Sequence, residues 1–307
     1  MKQFFSVLFG GLVLIFLGII LVWGFGQVNN KIAGLNKSDD PDAVVTDGLR
    51  KVIRYTANEE EGVINSAIEN LPRNNGDRIT ADAYIVKNLS TDSVWTEYDA
   101  TRLRPVASLT KLVTAVVARR MIQADTRIEI TPQIISTFGN TAGFRAGEIF
   151  TASDLMYPLM MVSSNDAAEA FARKYGRTKF IRVMNDFVQS IGAYRTYFAD
   201  PSGLSKANVS TATDLAIIID WIRRSDPSLL EITTLKSKTV RNHTWVNPTH
   251  FLSWSYYMGG KNGYTDEAGR TSVSLFRLGY DKEVYAVVVL GSDNRDEDVV
   301  RLINKVK

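Results

Sequence analysis

The chain has no cysteine, which removes disulfides, thiolate zinc sites and cysteine nucleophiles at once. Histidine is nearly as scarce. His243 and His250 are the only 2, too few for a histidine-rich metal site, and each is read as an ordinary structural or surface residue rather than a triad base. A strong charge of either sign is missing too: 36 Lys and Arg against 33 Asp and Glu leave a net +3. With no basic run, nucleic-acid binding gets no support. There is no internal repeat or low-complexity tract. What remains is 307 residues, 45% apolar and 22% charged, which fits one globular domain with a sizeable core and some extra sequence.

The extra sequence comes first. Phe4 to Phe25 carries no charged residue and is long enough to cross a bilayer as a helix, which takes about 20 residues. A cleavable signal peptide has an apolar core of about 7–15 residues followed by a small-x-small site. This run is longer and ends Val22-Trp23-Gly24-Phe25 without such a site. The expectation is an uncleaved single-pass anchor over residues 1–25, with Lys2 inside and the body exported. Residues 26–75 are expected to be a linker and stalk. Gln27 to Asp47 is polar, and Gly48 to Leu71 has apolar residues at helical spacing.

Residues 76–307 then read as a mixed domain of α/β (α+β) class. Ala81 to Val86 and Ser93 to Tyr98 form a hairpin signal. Leu109, Leu112, Val113, Val116, Val117 and Met121 make an apolar stripe on a helix beginning at Ser108. A second helix starts near Thr151, capped by Thr151 or Ser153, and others cover Asp166 to Tyr175, Phe180 to Ile191 and Asp214 to Arg223. Strands follow at Ser237 to Val240, Ser272 to Leu278 and Val284 to Leu290, with a short closing helix over Val299 to Val306. Strands at both ends and helices between predict an antiparallel sheet whose outer strands come from both ends of the domain.

Three short motifs carry chemistry. In Ser108-Leu109-Thr110-Lys111 the serine and lysine share one face of a helix, a turn apart. A hydroxyl becomes a nucleophile when a neighbour takes its proton, and an amine does so only if burial or nearby positive charge depresses its pKa. Lys261 is a candidate for that second cation. Ser163-Ser164-Asn165 falls between two helical segments, where a serine relays a proton and an amide fixes the substrate and the lysine. Lys261-Asn262-Gly263 lies on a strand that runs into a turn. Its cation suits a substrate carboxylate, and its glycine permits close backbone approach. The backbone N–H groups of Ser108 and Tyr264 are candidate donors to an oxyanion. Taken singly, each motif has a plain structural alternative: a helix cap with a solvated lysine, another cap, or a lysine in a glycine-rich turn.

Over about Ala81 to Leu290 the chain resembles the penicillin-binding D-alanyl-D-alanine carboxypeptidases, serine peptidases of the low-molecular-weight class with S-x-x-K, S-x-N and K-T-G motifs. The likeness rests on Pro105 to Ala115, Gly147 to Leu155, Ser163 to Ala168, Asp200-Pro201-Ser202-Gly203-Leu204, Thr211 to Leu215 and Gly260 to Gly269. It implies a penicillin-binding, β-lactamase-like transpeptidase fold: a five-stranded antiparallel sheet beside a helical lobe. By the same likeness Ser108 forms an acyl-enzyme, Lys111 is its base, Ser163 and Asn165 assist, and Lys261 meets the substrate carboxylate. The substrates implied are peptidoglycan stem peptides, with β-lactams as covalent inhibitors and no metal or organic cofactor. One residue departs: the family usually has threonine where this chain has Asn262. Many relatives also continue into a C-terminal β domain and an amphipathic helix, for which the N-terminal anchor is expected to substitute. A β-lactamase-like hydrolase is the nearest alternative, although no clear Glu-x-x-x-Asn block follows Ser163. A weakly catalytic peptidoglycan-binding module, made so by Asn262, is the other.

Overall fold

The unbroken apolar run from Val284 to Leu290 dictates a strand buried on both faces. The computed structural model describes residues 78–139, 142–279 and 282–306. The expected anchor at residues 4–25 and the linker and stalk over residues 26–75 lie outside the described residues. Among the described residues no helix is long and apolar enough to cross a membrane. Five strands, β1 (Ala83–Asn88), β2 (Val94–Tyr98), β3 (Tyr257–Thr265), β4 (Gly269–Leu278) and β5 (Glu283–Ser292), pair antiparallel in the order β2-β1-β5-β4-β3. The first and last parts of the domain thus meet at the β1–β5 seam, and β3 is left as an edge strand.

Each face has its own cover. On one, Ile85, Val273, Leu275, Ala286 and Val288 pack into the large core of the helical lobe. On the other, Val86, Phe276, Val287 and Val289 meet Val299, Leu302 and Ile303 of the closing helix, which spans Arg295–Asn304. Strands sandwiched in this way read as near-continuous apolar runs, as β5 does, while β4 interleaves the buried Thr271, Ser272 and Ser274 with its apolar residues.

The lobe comprises α1 (Thr110–Met121), α2 (Ala152–Met161), α3 (Asn165–Tyr175), α4 (Arg177–Ser190), α5 (Ala212–Ser225) and α6 (Ser228–Thr234), and the closing helix is α7. Sequence periodicity gave α1 one apolar stripe, whereas the helix is buried all round from Thr110 to Ala118, and Met121 is its exposed end. The small residues Thr110, Thr114, Ala115 and Ala118 let other elements approach the faces that the stripe left open. Thr151, not Ser153, caps α2, through a capping box in which its hydroxyl accepts from the Asp154 N–H while the Asp154 carboxylate accepts from the Thr151 N–H. The short helix α6 and the single turn Pro132–Ile135 carried no periodic signal.

Candidate active site

Ser108 sits in a 3-10 turn, Ala107–Leu109, that runs directly into α1. This turn places its hydroxyl one helical turn from Lys111, and the two side chains are hydrogen-bonded at 2.9 Å. Lys111 is fully buried. Its Nζ also donates to Asn165 Oδ1 at 2.7 Å and to the Ser202 carbonyl. In its neutral form, with two N–H donors and one lone pair, the amine can give both donors to Asn165 and Ser202 and keep the lone pair for Ser108 Oγ. Burial first, and then the positive charge of Lys261, hold the Lys111 ammonium well below the ordinary lysine range, against the opposing pull of Asp200. The alternative of a capping serine and a solvated lysine is overturned by this burial: the N-cap of α1 is Leu109, which has no side-chain cap bond.

The second motif is the connection between α2 and α3, and its middle residue explains the bend. Ser164 caps α3 by accepting from the Ala167 N–H at 3.1 Å. Ser163 precedes it with φ +61°, and Ala107, before Ser108, has φ +49°. Left-handed conformations cost a residue with a Cβ about 1–3 kcal/mol, and here they aim Ser163 and Ser108 into one space. Asn165 does the first half of what its amide promised, holding Lys111. Its Nδ2 donates to the Phe138 carbonyl at 2.7 Å, so one of its two N–H groups is taken by a neighbouring loop.

The third motif lies along β3, and the pleat separates its residues. Lys261 is opposite Val273 and Gly263 opposite Thr271 on the lobe side, while Asn262 is opposite Ser272 on the side covered by α7. Lys261 is buried, and its Nζ donates to Ser163 Oγ at 2.8 Å and to its neighbour's carbonyl, that of Asn262, at 2.8 Å. Burial, aided by the charge of Arg295, brings its pKa down to about 7. Gly263 is where the strand meets the turn that carries Ser108: a Cβ there would stand 2.8 Å from the Ser108 backbone N. Tyr264, whose backbone N–H is the second candidate oxyanion donor, follows directly, and its exposed side chain donates from its hydroxyl to Asp266.

Ser108, Ser163, Asn165, Lys261, Asn262, Gly263 and Tyr264 all line one open cleft of about 690 Å3, with Lys111 buried beneath them. His243 is packed among Phe144, Phe150 and Trp245 and paired with Glu148, a structural role. Among the described residues no group of three His, Asp or Glu side chains could hold a metal ion.

Two contributors are not legible in the sequence as site residues. The first is the block Asp200-Pro201-Ser202-Gly203. Asp200 Oδ1 accepts from Ser202 N–H, Ser202 Oγ and Gly203 N–H, and Oδ2 from Ser205 N–H, at 2.6–2.8 Å. Burial opposes its charge, yet those donors keep its carboxyl below the ordinary range. The loop so tied presents the Ser202 carbonyl to Lys111 and the Pro201 carbonyl to Thr114. The second is Arg295, the first residue of α7, which reaches the cleft beside Asn262 and Lys261. Nothing local in the sequence marks it, because only the packing of α7 across the sheet brings it there.

The comparisons agree with this arrangement. A model of the D-alanyl-D-alanine carboxypeptidase family matches residues 69–294. A D-alanyl-D-alanine endopeptidase of Pseudomonas aeruginosa is 30% identical over 213 residues, 64% of this chain and 66% of that protein. The chain thus spans about two thirds of that relative's length. The structure of a D-alanyl-D-alanine carboxypeptidase from Mycobacterium tuberculosis superposes with a TM-score of 0.69 at 26% identity, over 74% of this chain and 91% of the other. A mutant of the Streptomyces K15 DD-transpeptidase gives 0.68 at 27% identity, over 74% and 98%. With the sheet, the lobe and the cleft between them in place, and the family model spanning all three motifs, this chain belongs to the D-alanyl-D-alanine carboxypeptidase family.

Proposed function

We propose that the chain is a serine-type D-alanyl-D-alanine carboxypeptidase that removes the terminal D-alanine of peptidoglycan stem peptides through an acyl-enzyme on Ser108. The observation that carries this is the buried Lys111 amine, with two acceptors on its hydrogens and Ser108 Oγ at 2.9 Å. Neutral Lys111 takes the Ser108 proton as Oγ bonds to the scissile carbonyl carbon, and the Ser108 and Tyr264 N–H groups receive the developing oxyanion. The proton then passes to the leaving nitrogen through Ser163 Oγ, which the Lys261 ammonium holds at 2.8 Å. The C–N bond breaks, D-alanine leaves, and the ester remains on Ser108. Water adds to that ester by the same steps in reverse, returning the Ser108 proton and freeing the shortened peptide.

Charge orients the substrate. The cations Lys261 and Arg295 and the anions Asp266 and Glu267 all line the cleft that holds Ser108. The leaving group's carboxylate belongs beside the cations. A β-lactam offers the same serine an amide within a ring and is proposed as a covalent inhibitor. Residues 4–25 are proposed to anchor the chain in the cytoplasmic membrane, with residues 76–307 as the catalytic domain on its outer side. An endopeptidase would differ only in the amine expelled, a reading favoured by the name of the Pseudomonas relative.

Full-length protein incubated with labelled benzylpenicillin should give a covalent adduct that Ser108→Ala abolishes, and should release D-alanine from a D-Ala-D-Ala peptide. Absence of both sinks the proposal. Cleavage of a cross-linked dimer peptide with no D-alanine release from the monomer would establish the endopeptidase instead.

A further inference from the structure

The chain as a whole carries a net +3, yet one corner of the lobe gathers more positive charge than that. Arg173, Lys174, Arg177, Lys179 and Arg182 are all exposed, and no acid lies among them in the sequence. They alternate with uncharged residues, so no unbroken run marks them; the turn at Gly176, φ +97°, joins the end of α3 to the start of α4 and sets them around one corner. A single carboxylate serves it. Glu169, buried on α3, accepts from Arg177 Nε at 3.0 Å and lies 3.4 Å from Arg173 Nε, so one anion braces two cations. Lys179 stands over the Tyr175 ring at 4.7 Å. Lys174 and Arg182 have no carboxylate partner among the described residues, and the next acid on α4, Asp186, is a turn beyond Arg182. Helix stability explains only part of this. Arg173 and Lys174 suit the negative end of α3, but Arg177 and Lys179 fall in the first turn of α4, where the dipole disfavours cations and no acid or side-chain cap offsets them.

The corner is remote from the chemistry. Asn165, the first residue of α3, lines the cleft and holds Lys111, whereas Tyr175 ends the helix about 16 Å away. No large apolar side chain is exposed between Arg173 and Arg182, so the surface suits a charged plane met without insertion. Building on the proposed anchor at residues 4–25, we infer that the α3–α4 corner is a docking surface for the anionic headgroups of the membrane, which it meets with the cleft at the far end of α3. The tether over residues 26–75 keeps the corner beside the bilayer, so contacts too weak to hold a free protein suffice. Each cation close to an anionic leaflet strengthens association by about fivefold, an effect that fades beyond about 8 Å at physiological salt.

Because the chain has no cysteine, Thr178→Cys, at an exposed position within the corner, accepts a single fluorophore in the full-length protein. The labelled protein is placed in nanodiscs of phosphatidylcholine with or without phosphatidylglycerol, and energy transfer to a headgroup-labelled lipid reports how close the corner lies to the membrane plane. Transfer should rise with phosphatidylglycerol and return to baseline at about 1 M salt, where the screening length is about 3 Å. Lys174→Gln, Lys179→Gln and Arg182→Gln together should lower the docked-to-undocked ratio by about 100-fold without moving the thermal melt. Transfer that ignores phosphatidylglycerol, survives high salt or persists in the triple variant overturns the inference. So does a label that responds to soluble polyphosphate but not to the lipid, which would assign the corner to an anionic polymer. Protein that never enters the nanodiscs refutes the anchor and this surface with it, whereas protein that enters but does not dock refutes the surface alone. The readout does not pass through Ser108, so a failure to acylate or to release D-alanine counts against the proposed reaction and not against the corner.

Discussion

Replacing Gly263 by alanine tests the placement of the oxyanion donors with a single methyl group. An alanine Cβ at this position would lie 2.8 Å from the Ser108 backbone N, 2.7 Å from Thr271 Oγ1 and 3.1 Å from the Ala107 Cβ. The threonine hydroxyl can turn away, but the Ser108 N is main chain and cannot. It is about 0.6 Å inside ordinary contact, so either β3 or the turn before α1 must yield. Gly263 has no positive φ, so alanine brings no backbone strain of its own and the edge strand can retreat. Retreat separates the Ser108 and Tyr264 N–H groups, and the methyl also covers the first. Loss of one such donor costs about 3 kcal/mol, a factor of 10²–10³ in the acylation rate. Gly203→Ala is the contrasting control: there the Cβ would fall 1.9 Å from the Ala107 carbonyl oxygen at φ +88°, so folding should suffer with activity. The assay is the second-order rate of benzylpenicillin acylation beside a thermal melt. If Gly263→Ala acylates within threefold of wild type while folded, the two N–H groups are not the oxyanion hole.

Three further substitutions probe the charges beneath the cleft. Lys261→Met removes the cation that, after burial, does most to depress Lys111, so the Lys111 pKa rises and the ascending limb of residual acylation moves to higher pH; an unmoved limb in the pH–rate profile counts against the coupling. Asp200→Asn removes an anion that accepts from Ser202, Gly203 and Ser205, and should cost about 2–4 kcal/mol at pH 7 together with at least tenfold in kcat. Since the Asp200 carboxyl is depressed in the folded state, its stabilisation is present above its ordinary pKa and is lost as pH falls through the lower folded value. Urea titrations at pH 7 and below pH 4 should therefore show the two proteins converging in acid. Asp166 is the opposite case: burial without a hydrogen-bond partner raises its carboxyl to about 6. The unfolded chain ionises first, so stability falls as pH rises from about 4 to about 6, and Asp166→Asn should be more stable by about 2 kcal/mol at pH 7.5, with the gain vanishing below pH 4. A gain that persists in acid would assign it to packing instead.

The parts of this fold that were readable in advance are those fixed by local period and local chemistry. The β1–β2 hairpin, the buried runs of β4 and β5, and α3, α4 and α5 each announce themselves within a short window of residues. Ser108 and Lys111 were readable because a single helical turn sets their distance. What escaped depends on partners far along the chain. No stripe on α1 shows that its polar residues are buried too, since Thr114 is satisfied by Pro201, 87 positions away, and Lys111 by Ser202, 91 positions away. Arg295 is hidden for the same reason: its path to the cleft runs across the sheet through α7.

That separation explains how one substitution in a site motif can be accommodated. Ser108 with Lys111, and Ser163 with Lys261, form two hydrogen-bonded pairs, so each residue constrains the geometry of its partner. Asn262 contributes only its carbonyl to that set, through Lys261, and its side chain points to the opposite face of β3. A backbone carbonyl is indifferent to the side chain that follows it. Exchange of threonine for asparagine thus leaves both pairs untouched and alters only the side chain that Asn262 presents to the cleft it lines with Arg295. The pleat of a single edge strand keeps Lys261 and Gly263 on one face and sets Asn262 on the other.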